Sequence, residues 1–208
     1  MNLRPLAGVV AGGARLISGV QVTWRDGFPP QRQSVFFANH TSHLDFVILW
    51  SSLPPNLRAW TRPVAAEDYW GRGLRRRLAV DVFNAVLVQR HRGEAGRDAH
   101  ARNTIEFMAR DMGERYSLII FPEGTRGTGD LVAPFKSGLY HLCLLKPGIQ
   151  LVPAYIENLN RILPKGEFLP VPFISRITFG SPTFFEPSES KERFLQRLRD
   201  DMCALRPR

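Results

Sequence analysis

"SVFFANHTSHLDFVILW", residues 34–50, places an apolar run, a polar knot and a second apolar run end to end. Ser34-Val35-Phe36-Phe37 has the β-branched and aromatic content of a buried strand, read here over about residues 33–38. Val47-Ile48-Leu49-Trp50 belongs to a helix predicted from Ser42 to Ser52, and Pro54-Pro55 stops it because proline cannot continue the hydrogen-bonded turn. Between the two runs sit His40, Thr41, Ser42, His43 and Asp45. Strand, polar loop, helix is the repeating unit of an α/β sheet, and such sheets bind ligands in the loops beyond their strand ends.

The unit recurs along the chain. Residues 63–67 read as a short strand, followed by the aromatic and basic segment "DYWGRGLRRRLAV" (68–80), and "AVLVQR" (85–90) reads as a buried strand. Ala99, Ile105, Met108, Ala109 and Met112 mark a helix over 96–116. An apolar strand then enters a Pro/Gly loop in "SLIIFPEGTR" (117–126). A helix over 136–145, the strand "IQLVPAYI" (149–156), a strand over 174–179 and a closing helix over 188–205 follow. The expected fold is α/β, with a largely parallel or mixed central sheet flanked by helices over residues 31–208. An amphipathic helix and the turn Gly27-Phe28-Pro29-Pro30 precede it, in residues 1–30.

Bulk composition agrees with one folded domain. The chain has 208 residues, 44% of them hydrophobic with 14 Phe, which excludes a disordered chain. Cys143 and Cys203 have no ligand-like spacing and suggest no disulfide framework. A net charge of +9 favours an anionic partner. No run approaches the ~18 apolar residues of a spanning helix.

Leu6, Val9, Val10, Leu16, Ile17 and Val20 form a helical stripe near Arg4 and Arg15. The stripe is short, Gly-rich and interrupted by Arg15, so a signal peptide fits it poorly. It suits a segment that packs on the domain or lies on a lipid surface. "RGLRRR" (72–77), beside Trp60 and Trp70, suits a solvated basic helix or the interface of an anionic bilayer. No nucleic-acid motif accompanies the charge, so no nucleic acid partner is expected.

His40 at the strand end and Asp45 in the first helical turn can fold together across the loop. An Asp bonded to one imidazole nitrogen fixes the tautomer and leaves the other nitrogen free to take a proton. Ser42 to Asp45 equally fits a capping box, and the two roles can overlap. Ser42 reads as a cap, because no nucleophile elbow surrounds it. A metal site on His40, His43 and Asp45 has no further ligand at a recognised spacing, so none is expected. Glu123, Gly124, Thr125 and Arg126 emerge from the second loop. There a guanidinium can clamp a phosphate, or the pair can be a surface ion pair on a turn.

Together and in this order, "NHTSHLD" and "FPEGTR" resemble the glycerolipid acyltransferase family, typified by 1-acylglycerol-3-phosphate (lysophosphatidic acid) acyltransferases. Asn39, His40, Ser42 and Asp45 match its first block, and Phe121 to Arg126 match its third throughout. Phe135-Lys136-Ser137-Gly138 resembles its Lys/Gly segment and Leu151-Val152-Pro153 its fourth block. The second block departs: Arg90 is kept, but Asn84 stands where a Gly is usual and Leu87 where an aromatic is usual.

The resemblance implies acyl transfer from an acyl-CoA or acyl carrier protein thioester to the hydroxyl of 1-acylglycerol-3-phosphate, without a further cofactor. Another lysophospholipid, or a lyso-lipid amine, is the alternative acceptor. His40 and Asp45 would be catalytic. Arg90, Glu123, Gly124, Thr125, Arg126 and Lys136 would bind substrate. The protein would lie peripherally on an anionic membrane, at its cytoplasmic face.

Overall fold

The computed structural model describes residues 6–27, 29–42, 44–89, 97–127, 131–157 and 175–207. Helix α1 (Leu6–Ser18) and a short strand β1 (Gln21–Trp24) precede strand β2 (Ser34–Ala38) and helix α2 (Asp45–Ser52). A single turn, α3 (Pro55–Arg58), leads to β3 (Thr61–Ala66). Short helices α4 (Glu67–Trp70) and α5 (Gly73–Arg77) and a π-helical turn, Leu78–Val82, then lead to β4 (Val86–Val88). Helix α6 (Arg97–Met112), strand β5 (Ser117–Ile120), helix α7 (Gly138–Leu145), strands β6 (Gln150–Glu157) and β7 (Arg176–Phe179), and helix α8 (Lys191–Cys203) follow.

The strands form one seven-stranded sheet in the order β1-β7-β6-β2-β5-β3-β4. The run from β6 to β4 is parallel throughout, β7 is antiparallel to β6, and β1 is parallel to β7. The sheet is therefore mixed.

The period-2 alternation of β2 sorts its side chains between two cores. Phe36 and Ala38 face the core built with α2, where α1 also packs. Val35 and Phe37 face the one built with α6, α7 and α8. Phe36, Phe37, Leu118 and Leu151 are fully buried. Each such side chain stabilises the fold by roughly 1.5–3 kcal/mol of burial.

The crossovers create the crevice. β2 and β5 are parallel neighbours, with Phe37 opposite Ile120 at their C-terminal ends. The helix after β2 covers one face and the helix after β5 covers the other. Chains leaving adjacent strands to opposite faces open a cleft beyond the strand ends, where ligands bind in sheets of this kind.

Two elements differ from the sequence reading. Gln21–Trp24, placed within the leading segment, forms an edge strand of the sheet: Val22 and Trp24 turn inward, and Trp24 stacks on Phe179 at 3.9 Å. Helix α2 begins at Asp45 rather than Ser42, because the N–H groups of Thr41 and Ser42 turn back onto the Asp45 carboxylate.

Helix α1 has two apolar sides. Ala7, Val10, Ala11 and Ala14 pack against the core, while Leu6, Val9, Leu16 and Ile17 are exposed, Leu16 by 84%. Among the described residues no helix is long and apolar enough to cross a membrane.

Candidate active site

His40 follows the end of β2 by two residues, and its ring is held by Asp45 and Phe121. Its Nδ1 lies 2.8 Å from Asp45 Oδ2. That oxygen also accepts the N–H groups of Thr41 at 2.6 Å and Ser42 at 2.8 Å. The ring of Phe121 stacks on the imidazole, with centroids 4.4 Å apart. Asp45 is fully buried and His40 retains 14% side-chain exposure. Asp45 thus closes the loop and orients the imidazole with one oxygen, as the dyad reading expects. The capping box does not form: Leu44 stands at the N-cap with no side-chain cap bond, and Ser42 Oγ accepts from Leu44 N–H at 3.3 Å.

With Nδ1 committed as donor to Asp45, Nε2 is the nitrogen left to accept a proton, and among the described residues nothing hydrogen-bonds it. Asp45 Oδ1 is buried without a hydrogen-bond partner among the described residues. His43, the second histidine of the knot, lies outside the described residues. Among the described residues no group of three or more His, Cys, Asp or Glu side chains is arranged to hold a metal ion.

The second loop grips the first. Glu123 is only 3% exposed and both its carboxylate oxygens accept backbone N–H groups, His40 at Oε1 and Ala133 at Oε2, each at 2.8 Å. Gly127 N–H donates to the carbonyl of His40 at 2.8 Å. The ion-pair alternative for Glu123 and Arg126 therefore does not form. Thr125 and Arg126 are exposed, and among the described residues Arg126 has no ionic partner.

Gly124 has φ +70°, and a Cβ there would meet Lys136 Cδ, Cε and Nζ at 2.8, 2.9 and 2.9 Å. The glycine lets the lysine lie across the loop and brings its ammonium beside the same turn as Arg126. Arg90 lies outside the described residues.

Sequence reasoning singled out the dyad but missed several supports. Asn39, 4% exposed, donates to Ile156 O at 2.9 Å and accepts from Ile156 N–H at 2.7 Å, extending the β2–β6 pairing one residue with its side chain. Asn84, the departure in the second block, has φ 52° and is the one non-glycine with positive φ among the described residues. Asn is among the few residues that tolerate this region, so it meets the backbone demand that a glycine would meet. That demand was readable in the usual Gly at this place.

A family profile described as Acyltransferase matches residues 19–157. The 1-acyl-sn-glycerol-3-phosphate acyltransferase of Limnanthes douglasii is 26% identical over 178 residues, covering 83% of this chain and 59% of the relative. The protein of the same name from Escherichia coli (strain K12) is 26% identical over 141 residues, covering 62% of this chain and 51% of the relative. This chain thus spans only about half to three fifths of those relatives. In fold it is similar to the crystal structure of the 1-acyl-sn-glycerophosphate (LPA) acyltransferase PlsC from Thermotoga maritima. The TM-score is 0.72 at 18% identity, over 98% of this chain and 78% of that one.

Proposed function

The chain belongs to the acyltransferase family, and from that premise we propose that it transfers a fatty acyl group to the free hydroxyl of 1-acylglycerol-3-phosphate, yielding phosphatidic acid. The donor is a thioester, acyl-CoA or acyl carrier protein. One observation carries the reading: a buried carboxylate fixes His40 Nδ1 at 2.8 Å while Nε2, just beyond the end of β2, has no hydrogen-bond partner among the described residues.

In the proposed reaction Nε2 takes the proton of the acceptor hydroxyl as its oxygen bonds to the thioester carbonyl carbon. The Asp45 carboxylate stabilises the imidazolium that forms. Collapse of the tetrahedral intermediate breaks the C–S bond, and the imidazolium returns its proton to the departing thiolate. Base catalysis of this kind contributes typically ~10²–10⁴-fold. No covalent acyl-enzyme is needed.

Arg126 and Lys136, together with Arg90, would receive the acceptor's phosphate, and Gly124 and Thr125 would shape the turn that carries them. Guanidinium binds phosphate in a planar fork and ammonium as a point charge, so the pair would fix both orientation and charge. The acceptor is a membrane lipid, and the exposed stripe of α1 and the basic α5 suit attachment to an anionic bilayer at its cytoplasmic face.

The test is a panel of purified acceptors, each with both donors. It includes 1-acylglycerol-3-phosphate, other lysophospholipids and a lyso-lipid amine. We expect transfer to lysophosphatidate by the wild type and loss of about 10²–10⁴-fold in His40→Ala. Undiminished turnover in His40→Ala would remove the mechanism, and preference for another acceptor would reassign the substrate. Arg126→Ala should raise KM for lysophosphatidate more than KM for the donor. The reverse order would place Arg126 at the donor site.

A further inference from the structure

The family resemblance would set Glu123 on the substrate, and its surroundings suggest a different task. Its two oxygens are both taken, by the N–H of His40 and the N–H of Ala133, and it is 3% exposed. The partners lie far apart in the chain, His40 on the first loop and Ala133 on the return from the second. Gly127 N–H closes the same seam from the other side, on the carbonyl of His40. The return is anchored once more at Val132, whose carbonyl accepts from Arg199 Nε at 3.1 Å and from its terminal NH2 at 2.6 Å.

We propose that Glu123 is a positioning residue: its carboxylate sets the backbone at His40, and through it the reach of Nε2 to the acceptor, without touching substrate. The physical case is one of burial. Both oxygens hold backbone N–H groups by charge-assisted hydrogen bonds, and at 3% exposure the carboxylate offers a substrate almost no accessible surface. Displacing either N–H by a substrate hydroxyl would leave a part-buried donor unpaired, which is costly. A rotation of the backbone at residue 40 moves the imidazole at its tip, and a misplacement near 1 Å can cost ~10²-fold in rate. Substrate affinity, held by groups elsewhere on the turn, is unaffected.

The kinetic arm rests on the acyl-transfer reading, and a second arm does not. In Glu123→Gln one amide N–H2 must face a backbone N–H. In Glu123→Asp the side chain is one methylene short of spanning both. For each variant kcat should fall about tenfold to 10²-fold, with acceptor KM within about threefold of wild type. Independently of any substrate, carbethoxylation of His40 by diethyl pyrocarbonate, followed by mass spectrometry, should run several-fold faster in both variants than in wild type.

A rise in acceptor KM of tenfold or more, with kcat kept and His40 reacting at the wild-type rate, would overturn the proposal and return Glu123 to the substrate. Absence of acyl transfer in every protein, with faster His40 modification in the variants, would sink the substrate reading and leave the positioning role standing. If neither variant folds, the wild type decides. The amides of His40 and Ala133 should be protected from hydrogen exchange at least as strongly as those of β2, and rapid exchange at either would refute the clamp.

Discussion

At the scale of single residues, one oxygen of Asp45 has three donors: His40 Nδ1, Thr41 N and Ser42 N. Asp45→Asn keeps a carbonyl oxygen for the loop but removes the charge that stabilises an imidazolium. We expect kcat to fall about 10²–10⁴-fold with the far-UV circular dichroism unchanged. Retention of more than a tenth of wild-type turnover would separate Asp45 from the chemistry. Asn84 tests the backbone alone. Asn84→Ala should destabilise by about 1–2 kcal/mol, because its φ of 52° penalises a Cβ, whereas Asn84→Gly should be neutral or stabilising. Chemical denaturation of the two variants against wild type checks this, and equal losses would indicate a side-chain contact instead. The dyad was legible in the sequence because it is local, closing a five-residue loop. The backbone contacts of Glu123 were not, since its donors stand 83 and 10 residues away and a carboxylate beside a glycine reads equally as a ligand contact.

At the scale of elements, long apolar strands and periodic helices were readable almost to their ends, as β2, β5, β6 and α8 show. The four-residue β1 was not, because one-sided burial of Val22 and Trp24 gives too short an alternation to distinguish from a turn. Helix α1 was expected either to pack or to face lipid, and it presents one side to the core and an exposed apolar side to its surroundings. Elsewhere in the chain α5 carries Arg75, Arg76 and Arg77, with Leu74 72% exposed and Arg75 lying 4.4 Å over the ring of Tyr69. Attachment through both would combine a salt-resistant apolar part with a screened basic part worth roughly 1 kcal/mol per well-placed residue. The protein should therefore sediment with anionic vesicles, weakly with neutral ones, and less when Arg75, Arg76 and Arg77 are changed together to Gln. Equal sedimentation of that variant and wild type would exclude α5, and no sedimentation of either would exclude the membrane.

At the scale of the molecule, α8 is fastened to the segment after β7 through Arg197. Its guanidinium donates to Glu189 Oε1 at 2.7 Å and Oε2 at 2.6 Å, to Thr183 Oγ1 at 2.8 Å and to Phe184 O at 3.0 Å. The Arg197 hydrogen bonds hold the Glu189 carboxyl below its ordinary range. A depressed carboxyl contributes stability that is present above its unfolded value and lost as pH falls through the folded one. Arg197→Ala should thus lower stability at pH 7 by about 1–3 kcal/mol, and its deficit against wild type should narrow under acid. Denaturant midpoints at pH 7 and at pH 3 compare the two, and a deficit that widens under acid would show that Glu189 is not the partner that matters. Strand order was the least legible property: the alternation of helices and strands indicates a sheet, but not that its last two positions would run backwards.

That reversed edge has a consequence for the order in which the chain assembles. β1 has β7 as its neighbour in the sheet, Gln21 opposite Arg176 and Trp24 opposite Phe179. On a ribosome the docking edge for β1 does not exist until residue 179 has left the exit tunnel, while α1 and β1 are made long before. The β6, β2, β5 and β3 pairings can close earlier, so the strand ends that carry the candidate site can be in place with the flank of the sheet still open. Loop closure over such a separation is slow, and for that interval β1 has no strand to pair with although α1 can already pack on α2. Strand β1 is in this sense made long before its docking edge and is among the last strands to be locked into the sheet.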